Sequence, residues 1–170
     1  IYLIEGYEPR RTGWHAWGGR RRVAVIPVVG TIVNGKTPPF TVPIPLPFFG
    51  PSTGDVDIVE RLKAAVADPE VVGIVVRVNS PGGAVLASDK MYRAVLKASE
   101  AKPLVVSFGN SAASGGYYLA CGSSEILATP VTITGSIGIF TGKVDLAGLY
   151  DKIGISTDTQ KTASGADAMG

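Results

Sequence analysis

Three short stretches hold the residue types from which acyl chemistry is built. The first is Asn110-Ser111-Ala112-Ala113-Ser114-Gly115-Gly116-Tyr117-Tyr118. It follows a buried-strand pattern, Pro103-Leu104-Val105-Val106-Ser107-Phe108, and leads into the small-residue run Leu119-Ala120-Cys121. A strand, a tight turn and a helix can hold a serine hydroxyl where a substrate backbone reaches it. Ala113 and Gly115 leave room for that approach. Taken alone, the stretch reads equally as a serine N-cap in an ordinary α/β turn. The second stretch, Ser80-Pro81-Gly82-Gly83, changes the balance. Sites in open α/β sheets form where loops leave the carboxyl ends of strands. If the two strands are neighbours, the N–H groups of Gly83 and Gly115 converge beside the Ser114 hydroxyl. Such paired donors form an oxyanion hole. The third stretch, Thr134-Gly135-Ser136-Ile137-Gly138, is strand-like, and its glycines permit close backbone approach.

The elements that position these stretches alternate. Val23-Ala24-Val25-Ile26-Pro27-Val28-Val29 is a β-branched strand, with Pro27 suiting an edge or a strand end. Residues 55–68 have the apolar spacing of an amphipathic helix, with Asp55 as N-cap and Pro69 beyond the end. Residues 71–78 form a nearly continuous apolar strand, as in a parallel sheet covered on both faces, and 79–83 form a turn. Residues 84–100 follow as a helix with Val85, Leu86, Met91, Ala94 and Val95 inward. Then come a strand at 104–108, a helix at 113–120, strands at 125–128 and 132–140, and a short helix at 145–154. This alternation predicts an α/β domain with right-handed crossovers over 23–170, preceded by an arm or linker at 1–22. No internal repeat is visible. Residues 37–51 hold six prolines among apolar residues, so they form neither a helix nor a central strand. Either that loop protrudes toward a partner, a membrane or an extended substrate, or it folds down on its own domain.

Composition excludes several function classes. The 170 residues suit one domain, and 45% hydrophobic content supports a real core. A net charge of +2 gives no case for nucleic acid. The cluster Arg20-Arg21-Arg22 reads as a solvated edge before the first strand, with a membrane or partner contact as the other reading. The single cysteine, Cys121, reads as a small core residue, and the single histidine, His15, lies far from the serine motif. One of each makes a zinc site or a Ser-His-Asp triad implausible, so neither metal nor cofactor is expected. Phosphate-loop and dinucleotide fingerprints are absent. No apolar run approaches the roughly 20 residues of a membrane span. The chain begins at Ile1 and stops at Met169-Gly170, which reads as a piece of something larger. The Trp14 and Trp17 segment reads either as a docking surface or as packing onto this domain.

Residues 76–83, 112–118 and 134–140, in this order and spacing, resemble the signal peptide peptidase A (protease IV) family. The likeness runs from about Val23 to the end. It implies a ClpP/crotonase-like fold of stacked ββα units with a mostly parallel sheet. It implies a serine endopeptidase acting on membrane-derived hydrophobic peptides such as cleaved signal peptides. Ser114 matches the nucleophile, Gly83 and Gly115 the oxyanion-hole amides, and Ser136 the serine that orients the general base. The family's base is a lysine. By alignment on Met169-Gly170, the lysine position of the short family members is held here by Asp167, and Lys161 falls about six residues early. Lys63, Lys90 and Lys97 read as solvated helix faces, and Lys143 and Lys152 flank or sit on the last helix.

The departure resembles the carboxyl-terminal half of the family's long tandem-repeat members, whose other half supplies the lysine. The expected partners are peptides, a second repeat or subunit, and the bacterial inner membrane through parts outside this chain. The membrane side is not readable from the sequence. Rival readings are Lys161 as base, an inactive scaffold repeat, or a crotonase-like acyl-CoA hydratase or isomerase. The last needs acid–base glutamates, and 79–84 and 110–117 contain no Asp or Glu.

Overall fold

β-branched residues dominate β2 (Arg22–Val33) and the first half of β4 (Val71–Gly83), and the apolar run Leu104-Val105-Val106 opens the third long strand, β5 (Leu104–Ala113). The computed structural model describes residues 2–3, 21–39, 50–139, 146–156, 158, 160 and 162–163. Its contacts divide the chain into two units, Ile1–Gly138 and Ile139–Gly170. In the first unit the strand order is β1 (Tyr2–Leu3), β2, β4, β5, β6 (Ile126–Leu127), all parallel. Two short strands lie off this path. β3 (Ser52–Gly54) pairs with β2, and β7 (Ile133–Gly135) pairs with β5. The mostly parallel α/β architecture is the expected one.

Helices α1 (Asp55–Ala67) and α2 (Val85–Ala101) are the crossovers between the long strands, and α3 (Gly115–Ala120) follows β5. The order advances in one direction across the sheet, and crossovers are right-handed, so successive crossover helices fall on one face. The burial pattern agrees. Ile58, Leu62, Met91 and Val95 share one core with Ile26, Val28, Ile74, Val76, Val78, Val106 and Phe108. The alternate residues point the other way: Val25, Val75 and Val105 are half-buried, and Val23 and Val29 are exposed. Among the described residues β4 is therefore covered by helices on one face rather than both.

β2 and β5 each change one neighbour along their length, while β4 keeps both of its own. Register breaks fall between Val29 and Thr31 on β2 and between Val78 and Ser80 on β4. Before the breaks the strands form the path from β1 to β6. Beyond them, residues 31–33 pair with β3, Ser80 pairs with Ala112, and 111–113 pair with β7. The segments 79–83 and 109–113, expected as turns, are thus extended strand within the same sheet: Gly82 and Gly83 pair with Thr31 and Ile32, and Ser80 pairs with Ala112. Helix α3 accordingly starts at Gly115, not at Ala113.

Several expectations are corrected. Asp55 is not the N-cap of α1; Gly54 is, and Asp55 is the buried first helical residue. Its carboxylate accepts hydrogen bonds from Gly35 N (2.5 Å) and Lys90 Nζ (2.8 Å). Lys90 is therefore an ion-pair partner rather than a free solvated side chain. On α2, Val85 and Leu86 are exposed, and Ala87 and Ser88 take the buried positions. Arg22 is half-buried in β2 and pairs with Glu70 and Asp68. Cys121 is exposed at the C-cap of α3 and is not a core residue.

The feet of the Pro-rich loop are fixed. Thr31 N donates to Pro51 O (3.0 Å), Gly54 N to Thr37 Oγ1 (3.0 Å) and Thr37 N to Asp57 Oδ2 (2.8 Å). Residues 40–49 of that loop lie outside the described residues, as do His15, Trp14, Trp17, Lys143, Lys161 and Asp167. In the second unit α4 (Ala147–Ile153) ends at Gly154 with φ 73°, and Ile155 N closes the last turn onto Tyr150 O. Among the described residues no helix is long and apolar enough to cross a membrane.

The Asp55 contacts tie the start of α1 to α2 and to the loop at Gly35. Burial alone raises the Asp55 carboxyl pKa. The Lys90 and Gly35 hydrogen bonds outweigh it and hold the pKa below the ordinary value. A depressed folded-state pKa gives stability that is present above the unfolded value and lost as pH falls through the folded one. Asp55→Asn is expected to cost about 1–3 kcal/mol at neutral pH. The difference from the parent should shrink as pH falls below about 4. Denaturant melts at pH 7 and pH 3 measure both.

Candidate active site

Ser114 occupies the junction between β5 and α3 with φ 49° and ψ −119°. A non-glycine residue seldom adopts this conformation, and it costs on the order of 1–3 kcal/mol. The strand drives into the helix through one sharply turned residue, the arrangement that exposes a nucleophile at a strand–helix elbow. Both peptide groups of Ser114 are fixed. Its N–H donates to Gly135 O on β7 (3.0 Å), and its carbonyl accepts from Tyr118 N inside α3 (2.8 Å).

The second Gly-rich stretch lies against this turn because β4 and β5 are neighbours. A Cβ on Gly82 would stand 2.7 Å from Gly115 N and 2.8 Å from Ser114 Cβ. With φ at 105°, only glycine fits this place. Gly82 is buried and Gly83 exposed. Gly83 N lies 3.3 Å from where a Gly115 Cβ would be. The structure thus brings Ser114, Gly83 and Gly115 into one cluster, with Gly82 as the wedge that sets their spacing.

The third stretch arrives by pairing. Ser111, Ala112 and Ala113 face Ile133, Thr134 and Gly135 on β7. Thr134 Oγ1 reinforces the pairing by donating to Ala112 O (2.7 Å). This register sets Ser136 beside Ser114, at φ 51° and exposed. All four residues singled out from the sequence therefore meet at the carboxyl ends of β4, β5 and β7. Among the described residues no group of three or more His, Cys, Asp and Glu side chains is placed to hold a metal ion.

Four supporting residues were not legible as site residues. Ser80 is buried, and its Oγ accepts from Gly82 N (3.0 Å). Asn79 Oδ1 accepts from Ser111 N (3.1 Å). Ser88, buried on α2, would stand 2.2 Å from a Gly115 Cβ. Asp89 accepts from Tyr118 OH (2.8 Å) and from Arg93 Nε (2.8 Å), and Tyr118 stacks on Tyr92 at 5.0 Å. One signal did exist: Ser88, Met91, Val95 and Ala98 recur at helical spacing, so the polar Ser88 sits in an apolar stripe.

Comparison with known proteins adds lineage to this geometry. Residues 97–169 match the model for peptidase family S49. A chloroplastic serine protease SPPA from Arabidopsis thaliana is 35% identical over 153 residues, covering 90% of this chain and 22% of that protein. Protease 4 of Salmonella typhi is 40% identical over 147 residues, covering 85% of this chain and 22% of that protein. The chain thus spans about a fifth of the length of these two relatives. Among solved structures, a mutant of the 1510-N membrane-bound stomatin-specific protease aligns with a TM-score of 0.51 at 18% identity. It covers 74% of this chain and 52% of that one. That likeness speaks to the fold alone, a parallel α/β sheet with crossover helices. Through residues 97–169 the chain is similar to peptidase family S49, and along most of its length it resembles chloroplastic SPPA and protease 4.

Proposed function

We propose that this chain is the nucleophile-bearing repeat of a serine endopeptidase and that Ser114 is its nucleophile. The observation that carries this reading is the strained Ser114 backbone, φ 49° and ψ −119°, packed against Gly82 and beside Gly83 and Gly115. The Ser114 hydroxyl attacks the scissile carbonyl carbon, and its proton passes to a lysine. The amides of Gly83 and Gly115 hold the resulting oxyanion. Collapse expels the amine, which takes the proton from the lysine, and water then releases the acyl group. Ser136, one residue beyond the Ser114–Gly135 hydrogen bond, orients the lysine.

The lysine comes from another repeat or subunit. Asp167 holds the position that family resemblance gives to the base, and Lys161 is offset from it. An assembly also suits the apolar surface next to the site: Val131, Ile133 and Ile137 are 85%, 71% and 81% exposed. Contiguous apolar exposure of this kind marks an interaction surface. The substrates in this reading are hydrophobic peptides of membrane origin, including cleaved signal peptides. The enzyme works at the bacterial inner membrane, peripheral or anchored through parts outside this chain.

A fluorophosphonate probe added to the full-length protein in its native assembly should label Ser114, and Ser114→Ala should abolish both labelling and peptide hydrolysis. An unlabelled Ser114 in the intact assembly sinks the reading. Gly115→Ala should lower kcat by about 10²-fold, because the new methyl meets Ser88 Oγ and displaces the amide. Steady-state kinetics with a fluorogenic peptide checks this. Lys161→Ala in the full-length protein should leave kcat within about 3-fold of the parent, far short of the roughly 10²–10⁴-fold loss that follows removal of a general base. A loss of that size with the fold intact would assign the base to Lys161 instead.

A further inference from the structure

We infer that Ser88 is a positioning residue that sets the distance between the two oxyanion amides, an inference that rests on the nucleophile reading of Ser114. Ser88 lies in the first turn of α2 and is 1% exposed. Its side chain stands between the two loops of the site. On one side its Oγ donates to Ala84 O (3.0 Å), and the same carbonyl accepts the Ser88 backbone N–H (3.0 Å). On the other side Oγ and Cβ stand 2.2 and 3.2 Å from the place a Gly115 Cβ would take.

Ala84, the residue after Gly83, is thereby held at both its N–H and its carbonyl. Ala84 N–H donates to Ile32 O (2.8 Å), and Ala84 O holds two donors from Ser88. Gly83 itself cannot shift toward β2, because its Cα already lies against the Ile32 backbone; a Cβ there would come within 2.1 Å of Ile32 O. Gly82 bounds the approach of the β4 loop to Gly115 on one side, and on the other lies the gap between the Gly83–Ala84 segment and Gly115. Ser88 fills that gap. Its hydroxyl fixes one side by hydrogen bonding and the other by contact.

A hydroxyl bonded to the carbonyl four residues back adds little to a helix and slightly disfavours it. The bond satisfies the buried Ser88 hydroxyl rather than the helix, whose own bond from Ser88 N–H to Ala84 O is already made. Alanine at 88 would keep the helical bond and the small volume while losing the spacer. Oxyanion donors act through preorganisation, so relaxing their separation weakens transition-state binding and leaves ground-state binding alone.

The test uses the full-length protein in its native assembly, with a peptide aldehyde and the matching peptide alcohol. With the aldehyde, the Ser114 oxygen adds to the carbonyl carbon, its proton goes to the general base, and the former carbonyl oxygen becomes the anion bound by the amides. The alcohol makes the same peptide contacts without that anion. For Ser88→Ala we expect kcat to fall about 10-fold with KM within about 2-fold, a pattern of lost transition-state interaction. Aldehyde affinity should fall by the same factor and alcohol affinity should hold, with an unchanged thermal midpoint. A fluorophosphonate-labelled parent whose Ser88→Ala form keeps kcat and aldehyde affinity overturns this inference alone. Equal losses for aldehyde and alcohol also overturn it, because Ser88 would then be only part of the general packing. An unlabelled parent overturns the nucleophile reading and this inference with it.

Discussion

The backbone of Ser114 depends on everything around it, and much around it is arranged to keep it. A residue at φ 49°, ψ −119° relaxes unless its neighbours forbid every alternative. Here the constraint is distributed. β7 takes the Ser114 N–H, α3 returns a hydrogen bond to its carbonyl, and Gly82 blocks its Cβ from moving toward β4. Helix α3 has only six residues and could not hold such strain by itself. It borrows rigidity from α2 through the Tyr118–Asp89 bond, the Tyr92–Tyr118 stack and the contact of Gly122 with the Tyr92 carbonyl.

A change of outer neighbours along the sheet makes that arrangement possible. β2, β4 and β5 stay paired through the register breaks at Val29/Thr31 and Val78/Ser80, while the neighbour beside β2 changes from β1 to β3 and the neighbour beside β5 from β6 to β7. β7 can then reach Ala113 and deliver both the Gly135 carbonyl and Ser136. The upstream halves carry the core, with Ile26, Val76 and Val106 fully buried. The downstream ends of β4 and β5 carry glycine, serine and alanine, residues that leave backbone within reach. Stability and chemistry are separated along these two strands.

This division explains what could be read from the amino acids alone. The core strands announce themselves by β-branched runs, and α1 and α2 by apolar spacing, because burial dictates residue type there. The chemistry-bearing stretches were legible because glycine pairs and a small-residue serine turn have few other uses. Their extended conformation was not legible. Asn79-Ser80-Pro81-Gly82-Gly83 has the composition of a turn, and only pairing with β2 and β5 keeps it straight. Asp55 was misjudged for a related reason. A polar residue at a helix start reads as a cap, and only tertiary contacts reveal that Asp55, like Ser88 on α2, faces inward. Cys121 failed in the other direction, since α3 ends before it and leaves it in solvent.

The separation of nucleophile from base in the proposed dyad has a physical logic in the surface beside Ser136. A lysine accepts the serine proton only when neutral, and its ordinary pKa of about 10.4 keeps it charged near pH 7. Burial is what lowers that value. In this chain Ser136 is exposed, and Ile133 and Ile137 around it are 71% and 81% exposed. A lysine set here in an isolated repeat would stay hydrated and protonated. Covering those isoleucines with another repeat removes water from the same place into which the lysine must be delivered. Assembly and activation of the base then become one event: hydrophobic burial favours the docked state by roughly 25 cal/mol for each Å² of apolar surface covered. In the proposed dyad that gain would offset the cost of desolvating an amine, and the strained serine would lack a competent base until its partner is in place.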